Sequence, residues 1–502
     1  MSEIRPTYTG LITLLTGLVT LVTITISTLI ITRTLSQEDY GTWGLIFSLF
    51  VYAFMASSFI NFWTVRDIAR GKEIGKTSLF SNSLFSMGGI VIFLVISLIV
   101  VTQSSLNINF FIAAAILVPI TIIYRTIAGI NLGWKPQLVS YGNLIAGIIM
   151  VPLVIVFVYF LDLSIYGIII SISLSYTANI IFLICLSHQK LRGKISFEVL
   201  RRWIKFSWIP LYPKIASLVY YSDIMIFSLI TNSVLGIAYY AAAMAITGFI
   251  GHAAGFSSPM YAKILSGDKE QVANRNLTYM IYFIVPMFCL TIVLAKLGLL
   301  TLNPIYQIAV PVVIFCSIRV LSFNLTNVLE SFLVGKDKVD DNIESTHLHY
   351  VKSKLFFLPT LRLIQYAVYI IILVYVLSIM HNSVSDIDLV IYWSLIAAVS
   401  QVPLSIYLLI LTKKEFKINF ETKSMIKYII SSGISFSILY LLLENFVNYT
   451  TTSVYDLIPQ IIIFAVIGVG LYVLITYLID KHAKELIKSS LAEIKIIGRK
   501  RG

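Results

Sequence analysis

Charged side chains are scarce. They make up 12% of the 502 residues, against about 25% in a soluble domain. Hydrophobic residues make up 58%, and mean hydropathy is +0.90. A soluble globular chain is excluded, and an integral membrane protein is expected. Cysteine is almost absent. Cys185, Cys289 and Cys316 each lie in an apolar run without a CxxC partner, which excludes a disulfide framework and a Cys-type zinc site. Histidine is also sparse; the one close pair, His347 and His349 in "THLHY", reads as a solvated loop. No metal, nucleotide or nucleophile motif stands out, so neither a metal, a cofactor nor an enzymatic activity is expected. Soluble domains are missing too: the polar stretches are short, and the largest outer gap, "ENFVNYTTTSVYD", has no His and few acids. That gap does hold an Asn-x-Thr acceptor motif at Asn448.

What is present is a series of apolar runs, each about 20 residues long, the length a spanning helix needs. Fourteen can be counted, centred near Val22, Phe54, Val91, Val118, Met150, Ser171, Val219, Thr247, Val285, Arg319, Ile370, Ala397, Gly433 and Val466. The first is too long for a signal-peptide core and is expected to stay as a helix. Basic residues alternate strictly between the gaps. The N-tail, the even gaps and the C-tail hold 31 of the 37 Lys and Arg, and the odd gaps hold only Arg33 and Lys296, so 2. Basic loops stay cytoplasmic, so a cell-membrane, multi-pass protein with both termini inside is expected. The net charge of +13 then reflects inner loops beside anionic headgroups rather than nucleic-acid binding.

The chain repeats itself weakly. "DYGTWGLIFSLFVYAFMA" follows helix 1 and "VLGIAYYAAAMAITGFIG" follows helix 7. Each begins with a Gly at an outer turn and ends in a charged inner loop. Two parallel six-helix lobes around a central cavity are implied, 1–192 and 193–414, with extra helices over 415–480 and a basic tail over 481–502. "FEVLRRWIKFSW" (Phe197 to Trp208) mixes apolar and basic residues at near-helical spacing and is expected to lie on the inner leaflet.

The turn "RTLSQEDYGTWGL", after a first helix, resembles the signature of prokaryotic polysaccharide-biosynthesis flippases. These are members of the multidrug/oligosaccharidyl-lipid/polysaccharide exporter superfamily. "YYSDIMIFSLITNSVLGIAYYAAAM" (Tyr220 to Met244) resembles the same family's seventh and eighth helices. The resemblance covers helices 1, 2, 7 and 8, and the inner loop from Gly335 departs from it. It implies a transporter that moves a lipid-linked (polyprenyl phosphate-linked) oligosaccharide between leaflets by alternating access. Two rivals are a multidrug or cation antiporter of the same superfamily and a membrane glycan polymerase or glycosyltransferase. The antiporter reading calls for twelve helices and an excess of membrane carboxylates, and the enzyme for a positioned acid or base.

Four cations lie inside apolar runs: Arg125, Lys214, Arg319 and Arg362. A cation at a helix centre costs about 2.5–3.5 kcal/mol on insertion scales. Arg125 and Arg362 lie near helix ends and can snorkel; Arg319 is least able to. Against them stands one clear carboxylate, Asp223 in helix 7, a candidate for coupling to H+ or Na+. The excess favours an anionic ligand, and a guanidinium suits phosphate oxygens. The alternative is a structural Arg319 paired with a carbonyl or with Asp223. Thr13, Thr16, Thr20, Thr23 and Ser27 fall within a sector of about 80° on helix 1; they line a wet cavity or back-bond and let another helix pack closely. Arg33 and Asp39 belong to the first outer turn, where opposite charges suit opposite helix ends. The expected partners are a lipid-linked glycan, membrane lipids and a coupling ion, and a monomer is expected.

Overall fold

The computed structural model describes residues 6–104, 106–254, 269–336, 353–416 and 421–488. His347, His349 and the last fourteen residues of the tail lie outside that range, as does the side chain of Thr13. Among the described residues all regular structure is helical. Among the described residues ten helices are long and apolar enough to cross a membrane, or up to twelve if each of two pairs, bent by 60° and 63°, is one broken span; two apolar stretches, Val19–Thr34 and Leu235–Gly251, are shorter than that.

In chain order the long helices are α1 (Pro6–Thr34), α2 (Gln37–Ala69), α3 (Gly75–Gln103), α4 (Ile108–Trp134), α5 (Gln137–Phe160), α6 (Ser164–Leu191) and α7 (Trp208–Thr231). There follow α8 (Leu235–Ala254), α9 (Lys269–Val293 and Ala295–Leu302), α10 (Pro304–Val334), α11 (Lys354–Met380), α12 (Asp386–Phe416), α13 (Thr422–Phe446) and α14 (Val454–Ile479). Every run centre named above falls inside its helix. The chain is an all-α, multi-pass membrane protein. Large apolar side chains stay exposed along these helices, such as Leu441, Val466 and Ile371, as lipid-facing positions require.

Local chemistry sets the boundaries. Ser36 caps α2 by accepting from the Asp39 amide at 3.1 Å. Asn232 takes a left-handed conformation, φ 51°, and stops α7. Pro152 removes a donor inside α5, and the helix widens into a π turn at Ile155–Phe160.

By contacts the chain divides into two compact units. One comprises Met1–Ala241 with Arg362–Val390, the other Ala242–Leu361 with Ile391–Gly502. The first unit has an apolar base formed by Phe59, Ile60, Ile68, Ile74, Ile130 and Trp203. Above it the Asn82 amide donates to both Asn61 (2.9 Å) and Thr126 (2.7 Å), joining α3 to α2 and α4. In the second unit α13 and α14 dock on α9 through buried tyrosines. Tyr472 donates to the Tyr282 carbonyl at 2.8 Å, and Tyr428 packs edge-on against the Tyr282 ring.

Candidate functional site

The outer-turn motif is built around close backbone approach. A Cβ on Gly41 would run into the carbonyl oxygen of Val234, and one on Gly44 would meet Ile237 Cγ2 at 3.0 Å. The start of α2 therefore lies backbone to backbone against the α7–α8 turn, and only glycine permits it. Gln37 Nε2 donates to the Leu235 carbonyl at 3.5 Å. Farther along α2 the Tyr52 hydroxyl donates to the Leu218 carbonyl at 3.4 Å. Asp39 accepts from the Ser164 hydroxyl at 2.6 Å, tying α2 to the start of α6. Ser233, just before α8, donates to Asp386 at the start of α12 at 2.7 Å. A Ser–Asp bond thus joins α2 to α6, and another, with donor and acceptor exchanged, joins the start of α8 to α12. Arg33 sits in the last turn of α1.

Asp223 is buried at 2% exposure. Its carboxylate accepts from the Tyr369 hydroxyl of α11 at 2.8 Å and from the Ile224 amide at 2.9 Å. Next to this pair the rings of Tyr220 and Tyr366 meet with centroids 4.9 Å apart. Tyr369 could not be singled out beforehand, because only the fold brings a tyrosine of α11 to a carboxylate of α7.

The four cations divide between the units. Arg125, Lys214 and Arg362 belong to the first, with Asp223, and Arg319 belongs to the second. Arg125 lays its guanidinium over the Phe54 ring, 4.3 Å from the centroid. Beside it Tyr124 stacks on Tyr176 and donates to Asn143 at 2.6 Å. Lys214, directly after Pro213 in α7, is exposed, and Arg362 is half-buried. Arg319 is 3% exposed near the middle of α10. The same helix carries a polar seam toward α12: Thr326 and Ser405 share a hydrogen bond of 2.8 Å, Gln401 donates to Thr326 at 3.3 Å, and Ser405 donates to the Ser322 carbonyl at 2.9 Å. Gln401 was not a candidate in the sequence; a lone glutamine in an apolar run has no partner there to mark it.

On α1 the side chains of Thr16, Thr23 and Ser27 are buried, and Thr20 is half-buried. Thr20 donates to the Thr16 carbonyl at 2.8 Å, and Thr23 to that of Thr20 at 2.9 Å. A Cβ on Gly147 of α5 would come within 2.6 Å of the Thr23 hydroxyl, so this part of the stripe packs against a glycine. Among the described residues no group of His, Cys, Asp and Glu could hold a metal ion.

No family model and no curated protein matches this chain. Solved structures do. The lipid II flippase MurJ in an inward closed conformation is 12% identical, with a TM-score of 0.68, over 95% of this chain and all of that one. A multidrug resistance MATE family transporter of the MOP superfamily, inward-facing, is 13% identical, with a TM-score of 0.58, over 81% of this chain and 98% of that one. A multidrug resistance MATE family transporter of the MOP superfamily in an outward-facing conformation is 13% identical, with a TM-score of 0.55, over 82% of this chain and 96% of that one. The chain has the fold of these transporters.

Proposed function

We propose that the protein flips a polyprenyl phosphate-linked oligosaccharide from the inner to the outer leaflet, for the synthesis of a cell-surface polysaccharide or glycoprotein. The observation that carries this reading is the extent of the match to the lipid II flippase, which spans 95% of this chain. The MATE structures leave nearly a fifth of it unmatched. The charge balance points the same way: four intramembrane cations and one clear intramembrane carboxylate suit an anionic cargo better than a cationic drug. In this reading Arg319, Lys214, Arg362 and Arg125 bind the phosphate of the carrier. Thr16, Thr20 and Thr23 border the path, and Asp223 couples transport to H+ or Na+.

The lobes 1–192 and 193–414 would rock against each other, carrying 415–480 as an appendage. The Gly41–Val234 contact joins these two sequence halves, so it would have to part when the outer side opens. The test is transport by the purified protein in vesicles. A fluorescent polyprenyl diphosphate-linked oligosaccharide in the inner leaflet should become accessible to an external lectin, and a cationic dye should not move. Dye efflux driven by an ion gradient, without glycolipid movement, would favour the antiporter reading.

A further inference from the structure

The short helix Phe197–Lys205, between α6 and α7, is fixed on one side and bare on the other. Its buried side is anchored at the last turns of α2. Asp67, itself buried, accepts hydrogen bonds from Arg202, from Trp203 Nε1 at 3.0 Å and from Lys72 Nζ at 3.0 Å. The Trp203 ring is fully buried in the apolar base of the first unit. The helix start is held as well: the Ser196 amide donates to Thr77 Oγ1 at 3.0 Å, and the Ser196 hydroxyl caps by accepting from the Val199 amide at 3.3 Å.

With that side fixed, the outward arc is determined. At about 100° per residue it runs from Ile204 and Phe197 through Arg201 to Lys205 and Glu198. Phe197 is 67% exposed and Ile204 50%, and Arg201 and Lys205 are exposed. Phe197 does not stand alone. Its ring lies edge-on to that of Phe80, 6.3 Å away, and Phe80, on the second turn of α3, is itself 41% exposed. One edge of the arc is therefore apolar and continues onto a spanning helix, while the other is cationic. Neither a solvated helix nor a protein-buried one needs that division. A helix lying at the boundary of acyl chains and headgroups does.

We propose that this arc is a binding surface for anionic phospholipid, with Arg201 and Lys205 on the headgroup phosphates and Phe197, Ile204 and Phe80 among the acyl chains. The occupant is a lipid rather than free phosphate, because the exposed rings would otherwise stand in water beside the two cations. Charge complementarity favours an anionic headgroup. Glu198 opposes it, being the one acid on the arc. Since the helix leads within three residues into α7 and is held to α2 by Asp67, lipid bound here grips two helices of the first unit at once.

The experiment uses the full chain in neutral detergent, titrated with phosphatidylglycerol or phosphatidylcholine, with thermal unfolding as the readout. Wild-type protein should be stabilised at far lower phosphatidylglycerol than phosphatidylcholine. Each charge near an anionic surface contributes about 1 kcal/mol, so Arg201→Gln with Lys205→Gln should raise the half-effective phosphatidylglycerol by about thirty-fold. The phosphatidylcholine response should not change. Glu198→Gln should lower the half-effective concentration by a few-fold, and this arm stands even where the double variant folds poorly. Inorganic phosphate should not substitute for lipid. Unchanged phosphatidylglycerol dependence in either variant, or equal stabilisation by inorganic phosphate, would overturn the proposal.

Discussion

Tyr369 in α11 donates a 2.8 Å hydrogen bond to the buried carboxylate of Asp223 in α7. The two residues are 146 positions apart, and each supplies a polar partner to the other in an apolar setting. Tyr369→Phe removes a donor and leaves the aspartate short of a hydrogen bond. The expected cost is about 1–3 kcal/mol, read as a lower melting temperature in detergent. Asp223→Asn keeps the size and one acceptor, so it should unfold near the wild-type temperature. In the coupling role proposed above, Asp223→Asn transport would no longer respond to an H+ or Na+ gradient, while equilibrium exchange of glycolipid would persist. An intact gradient response would remove Asp223 from coupling.

The Gly41 contact gives a second prediction. Gly41→Ala must push α2 away from the Val234 carbonyl, at a cost of about 1–3 kcal/mol for overpacking. Gly44→Ala meets only the tip of Ile237 and should cost less. A disulfide between Gln37→Cys and Leu235→Cys, on the two sides of this contact, should hold it shut once formed. Transport should then stop under oxidation and recover on reduction. Undiminished transport by fully cross-linked protein would mean that this contact does not open during the cycle.

Topology is open to direct labelling. The 31-to-2 asymmetry of basic residues predicts Thr451 outside and Lys76 inside. A membrane-impermeant thiol reagent should modify Thr451→Cys in intact cells, and Lys76→Cys only after permeabilisation. The opposite pattern would invert the orientation.

Much of the fold could be read from the sequence, and for a simple reason. A spanning helix must be long, apolar and internally hydrogen-bonded, so each one announces itself locally. The alternation of basic loops then counts them, even where charges such as Arg319 weaken the hydropathy. What could not be read depends on which helices become neighbours. Asp223 was visible, but Tyr369 was not. Gly41 stood in a visible motif, yet its reason, the carbonyl of Val234, lies nearly two hundred residues away. Gln401 and Ser405 look like ordinary polar interruptions of α12 until Thr326 is found beside them. The Thr/Ser stripe of α1 had two readings from spacing alone, and only the fold brings Gly147 against Thr23.

Asp480, just beyond α14, should make stability depend on acid. Burial pushes its carboxyl up, but hydrogen bonds from Tyr428, the Ala483 amide, Ser424 and Lys427 outweigh this and hold it below the usual carboxylate range. A group depressed in the folded state stabilises above its unfolded pKa, and that contribution is lost as pH falls through the folded value. The carboxylate should thus contribute fully above about pH 5 and fade below about pH 4. Asp480→Asn should lower the melting temperature at pH 7 and flatten its decline between pH 5 and pH 3. Equal acid sensitivity in wild type and variant would place the titrating group elsewhere.

Arg319 carries the most consequential prediction. At 3% exposure, it lies nearer the middle of its helix than Arg125, Lys214 or Arg362 does, where snorkelling is hardest. An arginine kept there at a cost of about 2.5–3.5 kcal/mol on insertion scales has either a ligand to bind or a structure to hold. The two roles separate cleanly. In the phosphate-binding role, Arg319→Ala should abolish glycolipid transport while the protein remains abundant and melts near the wild-type temperature. Arg319→Lys should restore only part of the rate, since an ammonium keeps the charge but loses the planar pair of donors. Inorganic pyrophosphate should compete with substrate in wild type and lose that effect in Arg319→Ala. In the structural role, Arg319→Ala would express poorly, and Arg319→Lys would recover stability and transport together. Normal transport by well-expressed Arg319→Ala protein would take this residue out of the site, leaving Lys214, Arg362 and Arg125 to be tested in the same way.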